Sequence, residues 1–240
     1  MTEIEGVPVW EVEPTGECKG GLIVIHEVWG LSDHIKDVAE RFAAEGYYAV
    51  APNLLSDTDI EQHLTPEVGR DLFDPEKRNA VQPLLRKHMA PLQTPEFAAQ
   101  TTEKLHQLFD YQYNKPEVEQ RVAVVGYCFG GTYSFNLAIT EPRLAAVVPY
   151  YGHADQSVDE LSKISCPVYA FYGEKDERLM AGLPDLEERM HQARVDFTSQ
   201  VYENCGHAFF NDTNTFAYDK NAATDAWQRT LEFLTLNLDR

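Results

Sequence analysis

At 240 residues the chain can bury one large core, and 43% hydrophobic with 25% charged residues is an ordinary balance for a soluble globular protein. Its 39 Asp and Glu against 20 Lys and Arg give a formal charge of −19, which repels both nucleic acid and anionic membrane and argues against either as partner. No stretch approaches the roughly 18 apolar residues of a membrane span, the acidic start Met1-Thr2-Glu3-Ile4-Glu5 lacks the apolar core of a secretory signal, and Cys18, Cys128, Cys166 and Cys205 show no C-x-x-C spacing, so a reducing cytoplasm is the expected location.

Strand and helix signals alternate along the chain. Val7 to Val12 reads as a short edge strand. Gly21 to Ile25 is a continuous apolar run, expected of a strand covered on both faces. Ser32 and Asp33 offer N-cap oxygens to a helix over about 34–45, and Gly46 stops it. Tyr47 to Ala51 is the next strand, closed by Pro52. Residues 53–96 hold five prolines among helical patches such as Val81 to Met89, and are expected to lie over the end of the sheet. Phe97, Thr101, Leu105, Leu108 and Tyr111 mark a helix over about 95–113. Further strands are expected at 121–126, 144–148, 168–172 and 198–202. Helices are expected from 129 to about 140 and over 185–193. A closing helix carries Ala223, Trp227, Leu231, Leu234 and Leu238 as an apolar stripe. The alternation implies a single domain over 1–240 of class α/β, with one mostly parallel twisted sheet and helices on both faces.

The most informative stretch is Tyr127-Cys128-Phe129-Gly130-Gly131, directly after the run Arg121 to Gly126. Gly-x-Cys-x-Gly at the end of a buried strand reads as a sharp strand-to-helix turn, with glycines tolerating the tight backbone. This is the nucleophile elbow of the α/β-hydrolase fold, with cysteine where serine is usual. Cys128, an acid in Gly173-Glu174-Lys175-Asp176-Glu177, and His207 then follow in the chain order of that fold. Each falls just after a predicted strand, where groups in open α/β sheets converge.

The pieces His26-Glu27-Val28-Trp29-Gly30, Gly126-Tyr127-Cys128-Phe129-Gly130-Gly131, Tyr150-Tyr151-Gly152, Tyr172-Gly173-Glu174-Lys175-Asp176 and Gly206-His207-Ala208-Phe209-Phe210-Asn211-Asp212 run in order over almost the whole chain. In them the chain resembles the dienelactone hydrolase family (carboxymethylenebutenolidases) of α/β-hydrolases. The resemblance implies a cofactor-free, metal-free hydrolase of a small lactone or ester, working through a covalent thioester. It makes Cys128 the nucleophile, His207 the general base and Asp176, rather than Glu174 or Glu177, the orienting acid. The backbone N–H groups of Val28 and Phe129 would form the oxyanion hole. Glu27 would take part in activating Cys128, holding it as a thiol until substrate displaces the carboxylate, which shields the sulfur from oxidation.

A thiolate is also a good leaving group, so enol lactones and activated esters suit it and amides do not. Family members specific for dienelactone bind the substrate carboxylate with arginines, one shortly after the histidine. Here that stretch is Ala208 to Asp212 without an arginine, which opens the way to neutral or bulkier substrates. Arg78 is the candidate for the other anchor. Trp29, Tyr127, Phe129, Tyr150, Tyr151, Phe209 and Phe210 all lie near predicted strand ends and suggest an aromatic pocket, with Trp29, Tyr127, Tyr150 and Phe209 expected to contact substrate. A broader thiol esterase or thioesterase, and a non-catalytic binding or redox module, are the rival functions. A monomer or small homo-oligomer is expected.

Overall fold

The computed structural model describes residues 1–63, 65–74 and 76–238; within these, the side chains of residues 61, 66, 67, 70, 73 and 78 are outside the description. In chain order the elements are β1 (Thr2–Ile4), β2 (Val7–Val12), β3 (Gly20–Ile25), α1 (Asp33–Ala44), β4 (Tyr47–Pro52), α2 (Ile60–His63), α3 (Pro66–Phe73), α4 (Arg78–Met89) and α5 (Pro95–Tyr113). The second half adds β5 (Val122–Tyr127), α6 (Phe129–Thr140), β6 (Ala146–Tyr150), α7 (Val158–Leu161), β7 (Val168–Gly173), α8 (Glu177–Gln192), β8 (Phe197–Tyr202) and α9 (Lys220–Leu238).

The eight strands form one sheet in the order β1-β2-β4-β3-β5-β6-β7-β8. β1 and β2 are antiparallel additions at one edge, and β3 to β8 are all parallel. The chain leaves β3 in one direction to form β4 and returns on its other side as β5. The loops after β3 and β5 therefore flank the point where strand order reverses, the place where open α/β sheets form a crevice. No helix is long and apolar enough to cross a membrane among the described residues.

Strand parity decides on which face of the sheet each side chain packs. Leu22, Val24, Ala123, Val125, Tyr127, Ala146, Val148 and Tyr150 point to the face covered by α1 and α9. Ile23, Ile25, Val122, Val124 and Val147 point to the opposite face, packed by α5 and α6. Because both faces are buried, the strands read as continuous apolar runs.

Several boundaries differ from the sequence reading. Ser32 stands at the N-cap of α1, but its hydroxyl makes no capping bond, and Asp33 Oδ1 instead accepts from Lys36 Nζ at 3.1 Å. Residues 144 and 145 precede β6, which begins at Ala146. α8 starts eight residues earlier than the expected 185, because Asp176 caps it and Pro184 does not end it. A proline inside a helix forfeits one backbone bond; here the buried stripe Leu179, Leu183, Leu186 and Met190 holds the helix through that position. α7 opens with a capping box, Ser157 Oγ accepting from Glu160 N while the Glu160 carboxylate accepts from Ser157 N at 2.9 Å. The proline-rich stretch is helical between its breaks: Val81, Leu85 and Met89 of α4, at i, i+4, i+8 spacing, pack with Val28, Leu55 and Ile60.

Candidate active site

Cys128 sits between β5 and α6 with φ 56° and ψ −109°. Positive φ is rare for a residue with a side chain and marks a conformation imposed by its surroundings. The constraint is visible on both sides of it. Cys128 N donates to Tyr150 O at 3.0 Å, and Gly130 N donates to His26 O at 3.1 Å. A Cβ on Gly126 would stand 2.1 Å from Gly130 O, and one on Gly130 would stand 2.3 Å from Ile25 O. The glycines are there because backbone passes against backbone.

The turn after β7 brings in Asp176, whose Oδ1 caps α8 by accepting from Leu179 N at 3.4 Å. Its Oδ2 lies 2.5 Å from His207 Nδ1, so that ring nitrogen is the donor to the carboxylate. Burial raises the Asp176 carboxyl, but the bond and charge of His207, with help from Leu179 N–H and Arg178, bring it below its usual range. Burial likewise lowers His207, yet the neighbouring Cys128 sulfur and the bond to Asp176 outweigh it and hold the imidazole up to about 10.

Cys128, Asp176 and His207 share the wall of a cavity of about 690 Å³ with Val28, Phe129 and Tyr151. Met89, at the end of α4, and Leu92 and Gln93, just after it, also line the cavity. The lining also includes Thr132, Asn136 and His153, held by bonds from His153 Nδ1 to Thr132 Oγ1 (3.1 Å) and from Gln156 Nε2 to Asn136 Oδ1 (2.7 Å). Among the described residues, neither Val28 N–H nor Phe129 N–H donates to a backbone carbonyl.

Glu27 is buried, 2% exposed. Its Oε2 accepts from Asn211 Nδ2 at 2.6 Å and its Oε1 from Tyr151 OH at 3.3 Å. Among the described residues no hydrogen bond joins it to Cys128, so in this state the amide and phenol hold the carboxylate. The sequence signals Asn211 only as a polar residue closing the apolar run Ala208 to Phe210.

The expected aromatic contacts are largely redirected. Tyr127 and Tyr150 are register partners of the parity that faces α1 and α9, and both are fully buried. Tyr150 OH bonds Thr230 Oγ1 at 2.7 Å and Ala226 O at 3.0 Å in α9. Phe209 is fully buried against Tyr150, Tyr151 and Tyr202. Trp29 lies against Gly69 of α3 and packs among the residues beneath α4. None of these four lines the cavity, whereas Phe129, Tyr133 and Tyr151 do. Arg78 opens α4, and its side chain lies outside the described residues.

The sheet order and the cysteine elbow at its reversal point define an α/β-hydrolase. Within that fold, the dienelactone hydrolase family matches residues 7–238, and the chain belongs to it. It is 34% identical over 230 residues, covering 90% of this chain and 89% of the relative, to a Saccharolobus solfataricus protein named "Putative carboxymethylenebutenolidase". It is 30% identical over 244 residues to the protein Usf of Aquifex pyrophilus, covering 97% and 96% of the two chains. Among solved structures, a "Putative Dienelactone Hydrolase" from Klebsiella pneumoniae superposes with a TM-score of 0.77 at 23% identity, over 95% of this chain and 98% of that one.

Proposed function

We propose that the protein hydrolyses small esters and lactones through a covalent thioester on Cys128. The observation that carries this reading is Cys128, in its strained conformation, sharing one cavity wall with the bonded pair His207 and Asp176. With the proton of the Cys128 thiol held on His207, the sulfur attacks the substrate carbonyl, forming a C–S bond. The oxygen that becomes negative is held by Val28 N–H and Phe129 N–H. The C–O bond to the alcohol or enol breaks, and His207 returns the proton to that leaving oxygen. In a lactone this oxygen stays tethered to the acyl group. His207 then deprotonates water, which attacks the thioester; the C–S bond breaks, the acid leaves and the thiol is restored. Asp176 keeps the proton on Nδ1, leaving Nε2 to exchange protons.

The loop after His207 offers no cation to a substrate carboxylate, whereas Arg178 lines the cavity and is placed to meet one, so both neutral and carboxylate-bearing esters fit the reading. Two measurements test the whole reading: p-nitrophenyl acetate turnover before and after iodoacetamide, and mass spectrometry of the Cys128 peptide after exposure to candidate lactones. Loss of turnover on alkylation, with an acyl adduct on Cys128, is expected. Folded protein that turns over nothing and captures no acyl group would instead support a binding module.

A further inference from the structure

His26 follows β3 and is completely buried, yet it neither lines the cavity nor takes part in the chemistry just described. Its Nδ1 lies 2.5 Å from the Glu27 carbonyl oxygen, and its Nε2 accepts from Leu54 N at 3.1 Å. A carbonyl only accepts and an amide N–H only donates, so these partners fix one neutral tautomer, with the proton on Nδ1. Burial pushes its pKa down to about 4, so the ring carries no charge near neutrality. Its face stacks on Phe129, with centroids 5.6 Å apart and planes within 4°. Its own carbonyl accepts from Gly130 N at 3.1 Å. One side chain and its carbonyl thus join the loop after β3, the loop after β4 and the first turn of α6.

We infer that His26 is a positioning residue that locks the Glu27–Val28 peptide with its N–H toward the cavity. A trans peptide is planar, with its C=O and N–H on opposite sides. Holding Glu27 O against His26 Nδ1 therefore turns Val28 N–H the other way. Gly30 N adds a second bond to the same oxygen at 3.2 Å. A flip of that peptide would replace a donor with a carbonyl where the substrate oxygen becomes negative. The stack on Phe129 fixes the second donor against the first. This role rests on the oxyanion function given to Val28 and Phe129 above.

His26→Phe keeps the ring and its stack but deletes both hydrogen bonds. Its kcat/KM for p-nitrophenyl acetate is expected to fall roughly 10- to 100-fold, below the full loss of an oxyanion donor. Alkylation of Cys128 by iodoacetamide is displacement at carbon and builds no oxyanion, so its rate is expected to stay within about threefold of wild type. His26→Gln, whose amide can donate to Glu27 O and accept from Leu54 N–H, is expected to recover most of the hydrolysis. If alkylation falls as far as hydrolysis, or if His26→Phe hydrolyses like wild type, the positioning role is overturned. Should His26→Phe not fold, as judged by thermal unfolding, His26→Asn takes its place with the same two rates. Wild-type hydrolysis by Cys128→Ala would instead remove the thiol nucleophile, an outcome separate from the ratio that judges His26.

Discussion

Gly130 is where the two proposed oxyanion donors are set at a fixed spacing, and Gly130→Ala tests that arrangement directly. The new Cβ would lie 2.3 Å from Ile25 O, 2.7 Å from Ile25 C and 2.8 Å from His26 O, all backbone atoms that cannot swing aside. Real Cβ atoms essentially never come closer than 3.0 Å, so α6 and the end of β3 must part by at least 0.7 Å. Such overpacking costs about 1–3 kcal/mol, or roughly 2–12 °C of unfolding temperature in a chain of this size. The same movement separates Val28 N–H from Phe129 N–H, and a misplacement of about 1 Å at a reacting centre costs on the order of 100-fold in rate. Gly182→Ala is the control. Its Cβ would meet nothing within 4 Å, so it is expected to keep full activity and to gain about 0.4–1 kcal/mol. The assay is kcat/KM on p-nitrophenyl acetate beside thermal unfolding. A folded Gly130→Ala enzyme with wild-type kcat/KM would refute the claim that this backbone contact sets the donor spacing.

Four further outcomes are expected. Cys128→Ser should lose most activity on enol esters, since its hydroxyl is a far weaker nucleophile; turnover equal to wild type would remove the argument for sulfur. Asp176→Asn keeps a cap for α8 but removes the carboxylate that steadies His207. Its kcat should fall by roughly 10²–10⁴, and NMR titration should show the His207 imidazole moved down from about 10. His207 is raised from 6.5 to about 10 in the folded protein, so its contribution to stability is complete below pH 6.5 and is lost as pH climbs through about 10. Unfolding temperature should therefore decline across that window more steeply in wild type than in Asp176→Asn. Asn211→Leu strands the buried Glu27 carboxylate without its 2.6 Å partner and should cost about 1.5–3 kcal/mol in a denaturant titration; an unchanged midpoint would deny Asn211 that task.

The sheet was legible because continuous β-branched runs bounded by Gly and Pro have few readings other than buried strands. Cys128, Asp176 and His207 could be picked out together because each stands just after such a run, and parallel strands end on one side. The faces of the strands were another matter. Tyr127, Tyr150 and Tyr151 all stand near strand ends, and proximity alone does not separate the cavity-lining Tyr151 from the other two. Parity places Tyr127 with Ala123 and Val125, on the α1 and α9 face. Strands buried on both sides show no polar alternation, so the sequence does not reveal that these two rings pack under α1 and α9 while the cavity is lined from loops and helices beyond the strand ends. Trp29 packs away from the cavity for a related reason: prolines among helical patches place that stretch over the sheet, but nothing in the sequence says that it presents Gly69 of α3 to an indole.

The same logic explains why residues that grip a neighbour, rather than line the cavity, carry no sequence signal of their own. His26 and Asn211 each act by a bond to a residue beside them in space, Glu27, and neither has a spacing that announces it. Their joint effect is to grip one residue from two directions: His26 takes the Glu27 carbonyl and Asn211 takes its carboxylate. If both grips matter, they should be separable. Loss of the amide should chiefly lower stability, while loss of the imidazole bond should chiefly lower turnover. Sites that share a partner commonly couple by about 0.5–3 kcal/mol, so losses additive within about 0.5 kcal/mol in the double variant His26→Phe with Asn211→Leu would establish that the two grips on Glu27 act independently. A large coupling energy would mean that the Glu27 backbone and side chain move as one unit, and that the carboxylate itself helps to hold the Val28 peptide in place.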